Sequence, residues 1–402
     1  MERTAIAGRE PAEGDHRAIG IGGRSCSGAR PYDARMSPDG RRIGAHLPLG
    51  QGMVPAVERA HAIGLDTLQV FSDNPTAWRR RREPPKDLPR FRARIEELGL
   101  GPIAIHAAYL VNLAGSDQAF VERSIDVLAT ELRVAPAFAA RYVNVHIGSH
   151  RGTDVATGTR RLADGVARVL AEADEGPEAA TLVLENSAGG GDGLGVTLEE
   201  IAAIMDAIAA RGVAPARVSV CLDTAHLWAA GYSISDPTEV DRLVTSFDRL
   251  IGLERLPMIH LNDSRSELGS RADRHQHIGA GSIGAAGMRA ILTHPGLAGV
   301  TYYLETPGMD EGYDAVNAAR VQDLLAGRPL PDLPAEAMNL PGSRSRTHPA
   351  VDEDLAAEPP PDGPRRSLAN TRRQERTPAP PVGRRSRSPR PGCGGMDPGR
   401  KR

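Results

Sequence analysis

Residues 260–279 read HLNDSRSELGSRADRHQHIG, with three histidines, two aspartates and no cysteine. Imidazoles and carboxylates at this density suit either a solvated loop or a site for divalent cations. Metal-capable residues recur elsewhere at a regular place. Short β-branched or apolar runs end in His106 (IAIHAAY), His146 (YVNVHIG), Glu185 (TLVLENS), Asp223 (VSVCLDTAH), His260 (PMIHLND) and Glu305 (VTYYLETP). A lone histidine at a strand end is more often a hydrogen-bonded structural residue, and a lone buried glutamate an ion-pair partner. Six together differ, because buried carboxylates crowded without cations are strongly destabilising. These runs contain no lysine or arginine.

Asp273 and His275 add a D-x-H pair from the loop after His260. With His226 they form a three-ligand set that leaves a position open for water or substrate, as catalytic zinc requires. The pool is then five His, two Asp and two Glu. That is too many for one zinc and suited to a cluster of two or three. All-N/O ligation favours Zn²⁺, with Mn²⁺ or Fe²⁺ at the more carboxylate-rich position. Cys26, Cys221 and Cys393 lie too far apart for a CxxC zinc motif or a disulfide framework.

Two further runs, RIGAHLP at 42 and TLQVFS at 67, bring the predicted strands to eight. Between them VPAVERAHAIG, FVERSIDVLATELRV, GTRRLADGVARVLAEA and TLEEIAAIMDAIAARG carry apolar residues at helical spacing. Thr197 with Glu200 makes a capping box. Strands alternating with helices imply right-handed parallel crossovers, and eight such units make a (β/α)8 TIM barrel. In that fold the site lies at the C-terminal ends of the strands, where these ligands fall. A doubly wound open sheet is the alternative, but no G-x-G-x-x-G follows the first strand.

The chain has 402 residues, 40% of them hydrophobic and 3% aromatic, enough for a substantial core. No apolar run reaches the roughly 18–20 residues of a membrane helix, and the N-terminal stretch lacks the apolar region of a signal peptide. The expected location is the cytoplasm, with no membrane partner. Residues 1–40, rich in Gly, Arg and Pro, read as a disordered extension, with Met36 as an alternative start. Residues 41–330 form the barrel domain, and 331–402 a disordered Pro/Arg-rich tail, either solvated or a polyanion-binding arm. Residues 341–402 carry fourteen Lys or Arg against seven Asp or Glu, and 1–40 carry six against six, leaving −9 on residues 41–340. On bulk charge alone, an acidic body argues against a nucleic-acid partner.

At these residues the chain closely resembles the endonuclease IV family, zinc-dependent abasic-site endonucleases on a TIM barrel. The resemblance rests on IHAAYLVNL, VNVHIGSH, LENSAGGG, CLDTAHLWAAGY, HLNDSRSELGSRADRHQHIGAGSIG and LETP, in order over residues 42–326. It implies three zincs per subunit: one held by His106, His146 and Glu185, and one sharing Glu185 and adding Asp223, His260 and Glu305. The third takes His226, Asp273 and His275. Glu185, Asp223 and Glu305 are then the catalytic carboxylates.

The implied reaction is hydrolysis of the phosphodiester 5′ to an abasic site in double-stranded DNA, leaving a 3′-hydroxyl, by a monomer that also trims blocked 3′ ends. A hydroxide held between two zincs ~3.5–4 Å apart would be the nucleophile. Three Zn²⁺ would add six positive charges where a phosphate must dock, easing the tension with the acidic body. Tyr109 matches a position that wedges into DNA. In the loop FSDNPTAWRRRR, Thr76 stands where the family inserts an arginine, so Arg79, Arg80 or the two arginines after them are expected to contact phosphates instead. His46 and His277 match no ligand position, and the glycine run after Glu185 reads as a turn admitting substrate backbone.

A sugar isomerase or epimerase of the xylose-isomerase-like group is the rival, but it would not need the His226/Asp273/His275 set. A non-catalytic binder of damaged DNA would be expected to have lost a ligand, and none is lost.

Overall fold

The computed structural model describes residues 41–340 except 174, 175, 177, 178 and 310. The expected N-terminal extension, the alternative start at Met36 and the tail beyond residue 340 lie outside the described residues.

The eight β-branched runs become eight parallel strands. They are β1 (Arg42–His46), β2 (Thr67–Val70), β3 (Ile103–His106), β4 (Ala140–His146), β5 (Thr181–Glu185), β6 (Val218–Asp223), β7 (Met258–His260) and β10 (Thr301–Leu304). They close into a barrel in the order β1-β10-β7-β6-β5-β4-β3-β2, so the expected (β/α)8 architecture is the observed one. Two short strands, β8 (Asp263–Ser264) and β9 (His275–Gln276), pair antiparallel in the loop after β7. The helices are α1 (Met53–Ala62), α2 (Leu88–Leu98), α3 (Gln118–Val134), α4 (Val155–Glu172), α5 (Leu198–Ala209), α6 (Thr224–Ala230), α7 (Pro237–Leu250), α8 (Gly284–Thr293) and α9 (Tyr313–Leu325).

Strand side chains alternate between the two sides of the sheet. Leu68, Ile105, Val143, Leu182, Leu184, Val220 and Leu222 belong to the main core with the apolar stripes of the helices, such as Leu162, Val166 and Val169 of α4. Ala104, Val183, Cys221, Met258 and Tyr303, with Tyr142 against them, form a separate small cluster on the inner side. Two residues further along each of those strands stand His106, Asn144, Glu185, Asp223, His260 and Glu305. Period two therefore stacks a polar layer on an apolar one and aims six polar side chains at one mouth. β4 starts two residues earlier than its apolar run, taking in Arg141, which is exposed at the opposite end.

Helix starts follow local chemistry. Asp154 and Asp117 cap α4 and α3 by accepting from the backbone N–H of Thr157 and Phe120. Thr197 accepts from Glu200 N–H at 3.2 Å, as the capping box predicts, but Glu200 reaches back to Val196 N–H rather than to that of Thr197. The packed chain also runs past residue 330. Arg320 donates to the Pro331 carbonyl at 2.6 Å, and Ala337 is buried.

Candidate metal centre

Three groups of ligand atoms gather at the barrel mouth, each within 4.8 Å: His106, His146 and Glu185; Glu185, Asp223, His260 and Glu305; and Asp223, His226 and His275. Glu185 faces two ways. Its Oε2 lies 3.7 Å from His106 Nε2 and 3.8 Å from His146 Nε2, while its Oε1 lies 3.3 Å from His260 Nδ1. A carboxylate so placed can serve two cations. Asp223 does two jobs. Its Oδ1 caps α6 by accepting from His226 N–H at 2.9 Å, and its Oδ2 stands 3.6 Å from His275 Nε2 and 4.0 Å from His260 Nδ1. Asp223 thus adjoins the third group as well as the second, which sequence reasoning did not anticipate. Asp273 lies 3.3 Å from His226 Nε2 and 3.1 Å from His275 Nε2.

The histidine-rich stretch 260–279 divides its labour. Asp263 holds the loop, its carboxylate accepting from the backbone N–H of Gly281, Ile283 and Gly284 at 2.9–3.1 Å. β9 brings His275 to the mouth. His277, two residues on, is buried away from it, donating from Nε2 to the Ala337 carbonyl and accepting at Nδ1 from Asn317.

Outer hydrogen bonds fix the ligands. His106, His226 and His275 donate Nδ1–H to the carbonyls of Ala107, Asn186 and Glu305, each at 2.8 Å, which leaves Nε2 for the cluster. Asn144 donates to Glu185 Oε2 at 2.6 Å. Asn262 donates to Asp223 Oδ2 at 2.6 Å and accepts from Glu305 N–H at 2.8 Å. Gln69 and His46 both reach Glu305 Oε1, at 2.7 and 3.1 Å. Sequence reasoning missed these amides. For Gln69 and Asn144 the one signal is a polar residue at an inward strand position; Asn262 lies just past the end of β7.

The electrostatics favour positive charge. Burial pushes the Glu185 carboxyl up, but His260, His146 and His106 hold it well below the usual carboxylate range. Against burial, His275 and His226 keep Asp273 low. Burial pushes the His275 ring down, yet Asp273 and Asp223 raise it to about 10. Asp223 itself is raised by its burial. His260 Nδ1 and His275 Nε2 are buried without a hydrogen-bond partner. Ring nitrogens in that condition, facing carboxylate oxygens in a field that stabilises cations, fit divalent metal ions with N/O preference.

The residues expected at DNA part company. Tyr109 is half-buried at the rim, 5.2 Å from the Phe71 ring and 5.6 Å from that of His106. Arg79 and Arg82 are exposed. Arg80 turns inward, contrary to expectation. One guanidinium nitrogen lies 3.3 Å from Glu131 Oε1, the other donates to the Asn74 and Ala77 carbonyls, and the side chain is 8% exposed. Its guanidinium compensates a buried carboxylate on α3, which removes it from the surface. Arg81 pairs with Asp73 at 3.1 Å. Thr76 closes an Asn74 turn through its hydroxyl and N–H. In the glycine run, Gly189, Gly191 and Gly195 take positive φ, so the loop beside Glu185 turns without side-chain bulk.

A family model described as a xylose isomerase-like TIM barrel matches residues 57–326. Sugar epimerases share the fold, among them an L-ribulose 3-epimerase at TM-score 0.51 and 17% identity, a likeness of fold alone. Fold and site together define a xylose isomerase-like barrel with three adjoining groups of metal-capable side chains at its mouth. Relatives named probable endonuclease 4 are 36% identical in Chloroflexus aggregans and 39% in Natronomonas pharaonis, covering 71% and 70% of this chain and 98% of each relative. The crystal structure of endonuclease IV from Thermus thermophilus superposes at TM-score 0.60 with 36% identity, over 70% of this chain and 99% of that one. The chain belongs to the endonuclease IV family and is a nuclease.

Proposed function

We propose that this protein hydrolyses the phosphodiester 5′ to abasic sites in double-stranded DNA, leaving a 3′-hydroxyl, and trims blocked 3′ ends, with three zinc ions in the ligand sets above. The observation that carries the reading is the third set, His226, Asp273 and His275, gathered beside a pair of sets bridged by Glu185. When bound, zinc supplies hydroxide at neutral pH as the nucleophile and offsets charge on the leaving 3′ oxygen. Mn²⁺ suits the carboxylate-rich set of Glu185, Asp223, His260 and Glu305.

The protein's own groups do the positioning. Glu185 and Asp223 set the distance between neighbouring ligand sets, and their amide partners Asn144 and Asn262 keep the unshared lone pairs occupied. Tyr109, at the rim beside His106, fills the gap where the base is missing, and the abasic nucleotide leaves the stack with little unstacking cost. Arg79 and Arg82 hold flanking phosphates. Among the described residues no helix is long and apolar enough to cross a membrane. The test is to measure bound metal in the purified protein, then nicking of an abasic-site duplex before and after prolonged chelation. Incision lost with the zinc and restored by adding it back supports the reading. Stoichiometric zinc without incision removes it.

A further inference from the structure

Among the ligand histidines His260 is turned the other way round. Its Nδ1 faces the cluster, 3.3 Å from Glu185 Oε1 and 3.4 Å from Glu305 Oε2, and its Nε2 points into the barrel. His106, His226 and His275 use a backbone carbonyl to fix the proton, but for His260 the partner is a side chain, Gln69 Oε1 at 3.1 Å. Gln69 is fully buried on β2 and spans 191 residues of sequence to reach it. Its amide is fixed at the other end too, because Nε2 donates to Glu305 Oε1 at 2.7 Å and a carboxylate can only accept. The amide oxygen must therefore face His260, the neutral ring must carry its proton on Nε2, and Nδ1 keeps its lone pair. His46 Nδ1, 3.1 Å from the same Glu305 oxygen, leaves Oε2 as the carboxylate oxygen facing His260.

We propose that Gln69 is a positioning residue for the cation held by Glu185, Asp223, His260 and Glu305. One amide selects the His260 tautomer and aims Glu305, so two ligands from β7 and the end of β10 are set by a single β2 side chain. The inference rests on the reading that this set holds zinc. Outer partners of metal ligands typically contribute 10–100-fold in metal affinity.

The test uses full-length Gln69→Met, which keeps an unbranched side chain of similar length, with Gln69→Leu as a second variant should the first fold poorly. Zinc is titrated against a chromogenic chelator, and the visible spectrum is recorded after substitution with Co²⁺. The expected result is one zinc weakened about 10–100-fold with the other two unchanged. The cobalt bands of one site should alter, and kcat should fall at unchanged KM for an abasic duplex. Wild-type affinity at all three sites, or equal weakening of all three, overturns the proposal. A wild-type protein without stoichiometric zinc overturns instead the functional reading beneath it.

Discussion

At the residue scale the candidate centre draws on nine metal-capable side chains. Six were legible because each sits at the end of an apolar run and period two fixes its side, while His226 in α6 and Asp273 and His275 in the loop after β7 show only as residue types suited to a metal. The outer groups were not legible in the same way. Nothing local to TLQVFS says that Gln69 meets His260, and nothing in WRRRR says that Arg80 turns onto Glu131 while Arg79 and Arg82 stay out. Those facts belong to interactions between distant segments. Three predictions belong at this scale. Asp273→Ala removes a carboxylate that faces both His226 and His275. Zinc analysis should show a loss of at least the 10–100-fold expected from an outer-shell change at the third site, with the first site retained. Replacing Arg79 and Arg82 together with Ala should weaken DNA binding and lower its salt slope by roughly one for each phosphate no longer neutralised. Arg80→Ala should instead lower the melting temperature, since it strands a buried carboxylate. An unchanged salt slope in the double variant would mean that neither exposed arginine touches a phosphate.

At the scale of elements, the loops after β2 and β3 are tied to one helix through one residue. Glu131 of α3 takes Arg80 from the first loop and accepts from Ala108 N–H of the second at 3.3 Å, so it places Tyr109, the next residue. Helical periodicity made α3 readable over most of its length, yet a buried glutamate within it looks from sequence like any polar position. Burial, outweighing Arg80 and the Ala108 N–H, pushes the Glu131 carboxyl up from 4.5 to about 7. A raised folded value means that the folded state holds the proton more tightly than the unfolded chain. The group's stabilising contribution is then complete below about 4.5 and is lost as pH rises through about 7. Glu131→Gln has no such loss, and both proteins leave Arg80 facing a neutral partner at low pH. The melting temperature of Glu131→Gln relative to wild type should therefore rise between pH 5 and 8. A relative fall over that window would show that the charged pair with Arg80 stabilises the fold outright.

At the scale of the whole molecule, the (β/α)8 order and the position of the site at the strand ends were readable because alternation of strand and helix leaves few topologies. The packed segment 331–340 was not, since its partners, such as His277 for Ala337, lie far back in the chain. Residues 41–340 carry −9, and Glu185, Asp223, Asp273 and Glu305 stand together at the mouth. The site's pull on cations acts on protons as well as metals. His275 is held to about 10 by Asp273 and Asp223 against its burial, so under the proposed reading zinc would have to displace a proton from it throughout the neutral range to gain Nε2. Metal binding with proton release strengthens as pH rises, by about tenfold per unit for each proton displaced. Zinc affinity measured by chelator competition should rise between pH 6 and 9, and calorimetry in buffers of different ionisation enthalpy should show protons released on binding. Zinc held by the folded site would stabilise it over the unfolded chain, so the melting temperature should fall on chelation by an amount that shrinks as pH is lowered. Zinc affinity independent of pH, with no proton release, would mean that His275 is already deprotonated near neutrality and that the carboxylates around it do not set the field at the mouth.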